Sequence, residues 1–93
     1  MSFEMKVEGV FYLSDGSTVF LGHLSTEAKK FIKECPCELF INGKRIAKVN
    51  IKNERMPGKD FKLKSLYTLD KIKIPNFDKQ SNWILRCFCS PDG

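Results

Sequence analysis

Apolar and polar residues alternate along the first segment of the chain. From residue 3 onward, most odd positions are apolar and most even positions are polar. A period of two is typical of a β-strand that has one face in the core and the other in water. The predicted core face consists of Phe3, Met5, Val7, Phe11 and Leu13.

The first turn signal is Asp15-Gly16, which separates two apolar runs within residues 11–24. Asp-Gly accepts the positive φ angles of a tight hairpin turn, because glycine has no Cβ and the carboxylate can bind nearby backbone N–H groups. The second run is β-branched or apolar, as in a strand covered on both faces. Gly22 within it permits a bulge or a close backbone approach.

The second turn signal is Asn42-Gly43, the strongest short-range hairpin signal in the chain. Residues 38–41 precede it and residues 45–51 follow it, and the second run alternates between apolar and polar side chains. This pattern predicts a second hairpin with one buried and one wet face.

A short helix is predicted over residues 26–34. Ser25 can cap its N-terminus, Glu27 suits the positive end of the helix dipole, and Pro36 ends it. The apolar positions that repeat at helical spacing are Ala28, Phe31 and Ile32.

Two later segments complete the predicted fold. Residues 61–67 alternate between a core face with Phe61 and Tyr67 and a basic outer face, and residues 83–89 form an apolar last strand. Short strands with turn signals at close spacing favour a mainly β protein. We expect a single domain over residues 1–93, a small antiparallel β-barrel of six to seven strands with one short helix.

The composition is that of an ordinary globular protein, with 42% hydrophobic and 29% charged residues. No run of about 18 apolar residues could span a bilayer, and the acidic N-terminal residues differ from a signal peptide. We therefore expect a cytoplasmic protein without membrane contact.

The net charge of +5 is concentrated in the middle of the chain. Five lysines are predicted to leave the outer faces of neighbouring strands, and Arg45 close by completes a predicted basic set of six: Lys44, Arg45, Lys48, Lys52, Lys62 and Lys64. Such a face can bind the phosphates of RNA or an acidic protein surface. The alternative is a solvated face whose lysines prevent edge pairing between sheets.

Four cysteines form two Cys-x-Cys pairs, Cys35 with Cys37 and Cys87 with Cys89. Four thiolates in a tetrahedral arrangement would make a structural zinc site. Side chains two apart on a strand share a face, but their sulfurs stay apart unless the backbone bends, as Pro36 could make it do. A disulfide or redox role is a second possibility. The pattern favours a third, because cysteine is among the most buried residue types and packs as a small hydrophobic residue. We expect no cofactor, with zinc as the alternative.

Nothing in the sequence predicts catalysis. His23 is the only histidine, the carboxylates are scattered, and no Gly-x-x-x-x-Gly-Lys-[Ser/Thr] motif for nucleotide phosphates occurs. A pairing of His23 with a cysteine is less expected than a histidine at a strand edge. The protein is therefore predicted not to be an enzyme.

Residues 18–22, Thr-Val-Phe-Leu-Gly, resemble the Gly-Thr-Val-x-x-Gly segment that opens the second-domain β-barrel of translation elongation GTPases. Residues 38–41 and 48–51 are similar to the strand pair that follows in that family, and the resemblance covers residues 3–75. It implies a closed barrel that contacts RNA or neighbouring domains. It supplies no functional residues, and the segment predicted as a helix departs from the family pattern.

The sequence favours a non-enzymatic binding or interaction module that resembles this second domain. One alternative is a structural zinc or thiol-redox protein that uses the two Cys-x-Cys pairs. Another is a toxin-immunity-type inhibitor, which fits the size of the chain but not its charge if the toxin is a basic nuclease.

Overall fold

A computed structural model describes residues 3–25, 34–54 and 63–88, and the account that follows concerns these residues. They form seven strands and no helix, so the protein is mainly β as predicted. The strands are β1 (Phe3–Tyr12), β2 (Thr18–Leu24), β3 (Cys35–Ile41), β4 (Lys44–Ile51), the short β5 (Asn53–Glu54), β6 (Leu63–Thr68) and β7 (Trp83–Cys87). The predicted helix over 26–34 lies outside the described residues except for Glu34, which is not helical.

All neighbouring strands pair antiparallel, in the order β4-β3-β7-β1-β2-β6-β5. The sheet curls into a half-barrel, and the chain after β4 reaches β6 at the far side of the sheet. The Lys52 amide donates to the carbonyl oxygen of Tyr67 at 2.8 Å, and the Thr68 hydroxyl donates to the carbonyl oxygen of Asn50 at 2.7 Å. These bonds join the two ends of the sheet at one end of the half-barrel.

The first predicted turn is confirmed. Gly16 has a φ angle of 91°, and the Leu13 amide donates to the Ser17 carbonyl oxygen at 2.9 Å. One carboxylate oxygen of Asp15 accepts from both the amide and the hydroxyl of Ser17, at 2.9 and 2.6 Å. The side chain of Asp15 thus fixes the turn, as the Asp-Gly signal predicts.

The second predicted turn is also confirmed. Asn42 and Gly43 both have positive φ angles, 52° and 84°. Two positive φ angles in succession define the type I′ turn, whose twist matches that of the flanking strands. Asn42 also holds the start of β7, because its side-chain oxygen accepts from the Asn82 amide and its own amide donates to the Asn82 carbonyl oxygen, both at 2.8 Å.

The core lies on the concave side of the sheet. Its fully buried side chains include Met5, Phe20, Leu39, Val49, Ile51, Leu66, Trp83, Leu85 and Cys87. The predicted core face of β1 is right for Phe3, Met5 and Val7, which are all buried.

The prediction that Phe11 faces the core is wrong. The pairing of β1 with β2 shifts between Val7 and Gly9, so Glu8 is an extra residue in β1. A bulge of this kind reverses the alternation of every following side chain. Val10 consequently packs against the core, while Phe11 lies on the outside with 51% of its surface exposed.

Of the two features that the sequence allows at Gly22, a bulge or a close backbone approach, the structure has the close approach. A Cβ atom at this position would clash with the carbonyl oxygen of Lys6 and lie 2.9 Å from its carbonyl carbon. Any side chain at position 22 would therefore push β1 away from β2 next to the bulge.

The predicted faces of β6 are reversed. Lys64, Leu66 and Thr68 are buried, whereas Ser65 and Tyr67 are only half-buried. The register with β2 explains the reversal, because Leu66 pairs with Phe20 and residues that pair directly across strands share a face. Phe61 and Lys62 lie outside the described residues.

Candidate metal centre

Three cysteine side chains meet on the concave side of the sheet. The Sγ atoms of Cys35, Cys37 and Cys87 all lie within 4.8 Å of one another. All three residues are buried, with exposed fractions of 2%, 2% and 0%. A zinc site requires the two Cys-x-Cys segments to lie close together. The structure places Cys87 of the second segment next to Cys35 and Cys37 of the first. Cys89 lies outside the described residues.

The register of β3 with β7 brings these residues together. Cys37 and Cys87 are direct Cα partners in the antiparallel pairing, so their side chains leave the sheet on the same face. Cys35 is two residues from Cys37 and shares that face by the period of a strand. The strands are far apart in sequence, and only the order of the sheet makes them neighbours.

Cys35 and Cys37 are closer than the spacing of a regular strand predicts. Their Sγ atoms are 3.7 Å apart, with Pro36 between them. Two sulfurs on one tetrahedral zinc ion, each bound at about 2.3 Å, are separated by about 3.8 Å. The first Cys-x-Cys pair therefore has the sulfur separation that one Zn²⁺ requires.

The pKa of the Cys87 thiol is raised far above its ordinary range. The largest causes are hydrogen bonds with the sulfurs of Cys35 and Cys37, followed by burial and by repulsion from the same two groups. Without a metal, Cys87 is thus a neutral thiol at physiological pH. A reactive cysteine needs the opposite environment, exposed and with a lowered pKa.

His23 takes no part in the cluster. It lies on the exposed face of β2, where its Nδ1 atom pairs with a carboxylate oxygen of Glu8. The expected position at a strand edge is not what the structure shows, because β2 lies between β1 and β6 in the sheet.

The six predicted basic residues do not share one exposed face. Lys64 has only 5% of its surface exposed, which corrects its assignment to an outer face, and Lys62 lies outside the described residues. Lys64 points inward because it pairs with Gly22 across the β6–β2 register.

The four remaining basic residues are exposed on and after β4, and acidic residues lie beside three of them, Arg45, Lys48 and Lys52. The pairing of β3 with β4 shifts at Ile46, so that Lys48 faces Glu38 and Arg45 faces Phe40. Arg45 also forms an ion pair with Glu38, with 2.9 Å between its guanidinium nitrogen and the carboxylate oxygen. Lys52 lies 3.7 Å from a carboxylate oxygen of Glu34. Lys44, opposite Ile41, is on the other side of the bulge from Lys48.

A cavity at the start of β7 has no clear signal in the sequence. Its volume is about 290 Å³, and its lining includes Trp83, Phe77, Lys6 and Lys79. The Nε1 atom of Trp83 is buried and has no hydrogen-bond partner within the described ranges. In the sequence, Trp83 follows the polar residues 78–82 and opens the apolar run predicted as the last strand, so it does not mark a cavity.

No protein-family model, curated protein or solved structure matches this chain. The likeness to the second domain of elongation GTPases therefore stays a prediction. No helix in the described part of the chain is long and apolar enough to cross a membrane. The cytoplasmic location likewise stays a prediction.

Proposed function

We propose that this protein is a small zinc-binding β-protein in which Cys35, Cys37, Cys87 and Cys89 hold one structural Zn²⁺. The observation that carries the proposal is the meeting of three buried Sγ atoms within 4.8 Å, contributed by two strands that are distant in sequence. Closed sites of four cysteines are a standard form of structural zinc.

The sequence supplies Cys89 as the fourth ligand. The Phe88 amide donates to the Pro36 carbonyl oxygen at 2.9 Å, so the chain stays bonded to β3 one residue beyond Cys87. Cys89 is the next residue in the sequence, and with it the two Cys-x-Cys pairs carry the four thiolates of a closed structural zinc site.

Burial favours a structural metal over a catalytic or redox site. A catalytic zinc keeps one position open for water or substrate, and a redox thiol must be reached by its partner. The three described thiols are at most 2% exposed. The metal would join β3 to β7 at the core, and the protein would act through its surface as a binding module rather than as an enzyme.

The test is metal analysis of the full chain purified without chelator. We expect about one equivalent of zinc, and Co²⁺ substitution should give the intense sulfur-to-metal absorption and tetrahedral visible bands of a thiolate site. The proposal is contradicted if the purified protein contains less than a tenth of an equivalent of zinc and the reduced protein takes up neither Zn²⁺ nor Co²⁺.

A comparison of two variants distinguishes the loss of a zinc ligand from a general loss of core packing. Cys37→Ser should lose the zinc, whereas Val49→Ala removes core packing at the Cα partner of Cys37 and should keep it. Cys89→Ser should weaken zinc binding at least tenfold. Unchanged affinity in Cys89→Ser would overturn the assignment of the fourth ligand.

The RNA or acidic protein partner expected from the basic residues stays a prediction. Glu38 and Glu34 lie against Arg45 and Lys52, which lowers the positive field along β4. The toxin-immunity-type inhibitor also stays a prediction, and no described feature favours it.

A further inference from the structure

The three described thiols lie where β7 ends. Cys87 is the last residue of β7, and its Cα partner on β1 is Phe3, the first residue of that strand. Beyond Cys87, the described chain keeps one backbone hydrogen bond to β3, in which the Phe88 amide donates to the Pro36 carbonyl oxygen at 2.9 Å. The end of an element opens at a lower cost in free energy than its centre. The thiols are therefore placed where β7 separates from its neighbours most readily.

Buried apolar side chains flank the thiols while the sheet is intact. The Cα partners of the three cysteines on β4 and β1 are Ile51, Val49 and Phe3. Direct partners share a face of the sheet, so these side chains lie beside the sulfurs on the core side. Ile51 and Val49 have no exposed surface, Phe3 exposes 8%, and each cysteine exposes at most 2%. A molecule the size of a chelator does not reach a metal ion among these thiols in the closed sheet.

Transfer of Zn²⁺ out of a thiolate site needs access from solvent. A donor atom of the chelator must bind the ion, and each thiolate that the ion leaves must regain a proton from water. Uptake is the reverse, because the thiols must lose their protons as the metal binds. Both directions are blocked at thiols that solvent does not touch.

We infer that Zn²⁺ enters and leaves this site only when the end of β7 separates from β3 and β1, so that this local opening sets the rate of exchange. The inference rests on the proposed function, because it concerns the same ion. It gives that ion a specific role: a permanent clamp between two strands, rather than a store from which other proteins draw zinc.

The test is the rate at which the zinc-loaded full chain loses its metal to a coloured chelator. An accessible ion is lost at a rate that rises in proportion to the chelator concentration. When an opening of the fold limits the rate, every ion released is captured and more chelator changes nothing. We expect the same rate constant over a tenfold range of chelator concentration.

Two variants of β1 locate the opening. Phe3→Leu reduces packing beside Cys87 and should speed zinc loss at least threefold. Val10→Ala reduces packing on the same strand, but Val10 pairs with Phe20 and lies beyond the residues of β1 that pair with β7, so the rate should stay within twofold. The free energy of unfolding of each variant is measured alongside.

The outcomes separate this inference from the proposed function. A rate proportional to chelator concentration overturns the opening at β7 and leaves the zinc site standing. The inference is also wrong if both variants lose zinc faster in proportion to their loss of stability, since unfolding of the whole protein would then limit the rate. A chain that holds no zinc and takes up none overturns the proposed function, and the inference with it.

Discussion

Cys37 and Cys87 lie directly opposite each other on β3 and β7, with both side chains on the core face of the sheet. These two strands are separated in the chain by β4, β5 and β6, yet β7 inserts between β3 and β1. This order converts two remote Cys-x-Cys segments into one cluster. It also makes the β3–β7 contact the part of the protein whose stability a bound metal would control.

Removal of zinc should lower the thermal stability of the protein. A ligand present at about a thousandfold its dissociation constant contributes about 4 kcal/mol, which corresponds to a decrease of about 15–30 °C in Tm on removal. Calorimetry with and without a strong chelator measures the change. Cys37→Ser should have a low Tm that the chelator does not alter, and a chelator effect of equal size in that variant would contradict the assignment.

The stability of the metal-free protein should fall at alkaline pH. The folded state holds the Cys87 proton more tightly than the unfolded chain does, because its hydrogen bonds with the other thiols and its burial raise the pKa. The contribution is complete below the unfolded pKa of about 8.5 and is lost progressively as the pH rises above that value. Urea unfolding in chelator from pH 7 to 10 measures this slope. Cys87→Ala should show a shallower slope, and identical slopes would exclude the effect.

Gly22→Ala should be strongly destabilising. The added methyl group would clash with the carbonyl group of Lys6, which is backbone and cannot rotate away. We expect a loss of about 3 kcal/mol in the free energy of unfolding. Gly9→Ala is the matched control, because its Cβ would meet the half-exposed ring of Phe11 at 3.1 Å and the Leu21 Cβ atom at an ordinary 4.0 Å, with no backbone atom in the way. We expect a change under about 1 kcal/mol. Equal effects of the two substitutions would show that the close approach of β1 and β2 is unimportant.

Thr68→Val should weaken the junction between the two ends of the sheet. The Thr68 hydroxyl donates to the Asn50 carbonyl oxygen at 2.7 Å and accepts from the Asp70 amide at 3.0 Å. Valine has the same shape without either bond, so the expected cost is about 1–3 kcal/mol by chemical denaturation. Thr18→Val tests the same exchange at the strand partner of Thr68, where the hydroxyl makes no hydrogen bond to the described residues, and should be close to neutral.

Local sequence signals predicted the local structure correctly. Asp15-Gly16 and Asn42-Gly43 both form the predicted turns, because the conformation of a tight turn depends on the two residues within it. The alternation in the first half of β1 was likewise predicted, and the close approach at Gly22 was one of the two features that the sequence allowed there.

The wrong predictions concern side chains whose direction depends on how their strand pairs with a neighbouring strand. Phe11 faces outward because a bulge at Glu8, which accommodates the pairing with β2, reverses the alternation. Lys64 is buried because β6 takes its faces from its register with β2. Alternation in the sequence does not reveal the extra residue of a β-bulge, such as Glu8 in β1. It also does not show which face of a strand is buried when both faces carry apolar and polar residues, as in β6.

The sequence by itself determined the turns, the presence of strands and the existence of two Cys-x-Cys segments, since each depends on residues that are adjacent or nearly adjacent in the chain. The tertiary structure alone decided that Cys87 meets Cys35 and Cys37, and that Trp83 closes a cavity with Lys6 and Lys79. Both depend on the position of β7 between β3 and β1. The strands adopt the arrangement that buries the most apolar surface. Because this buried area depends on all the strands together, it cannot be read from any single segment.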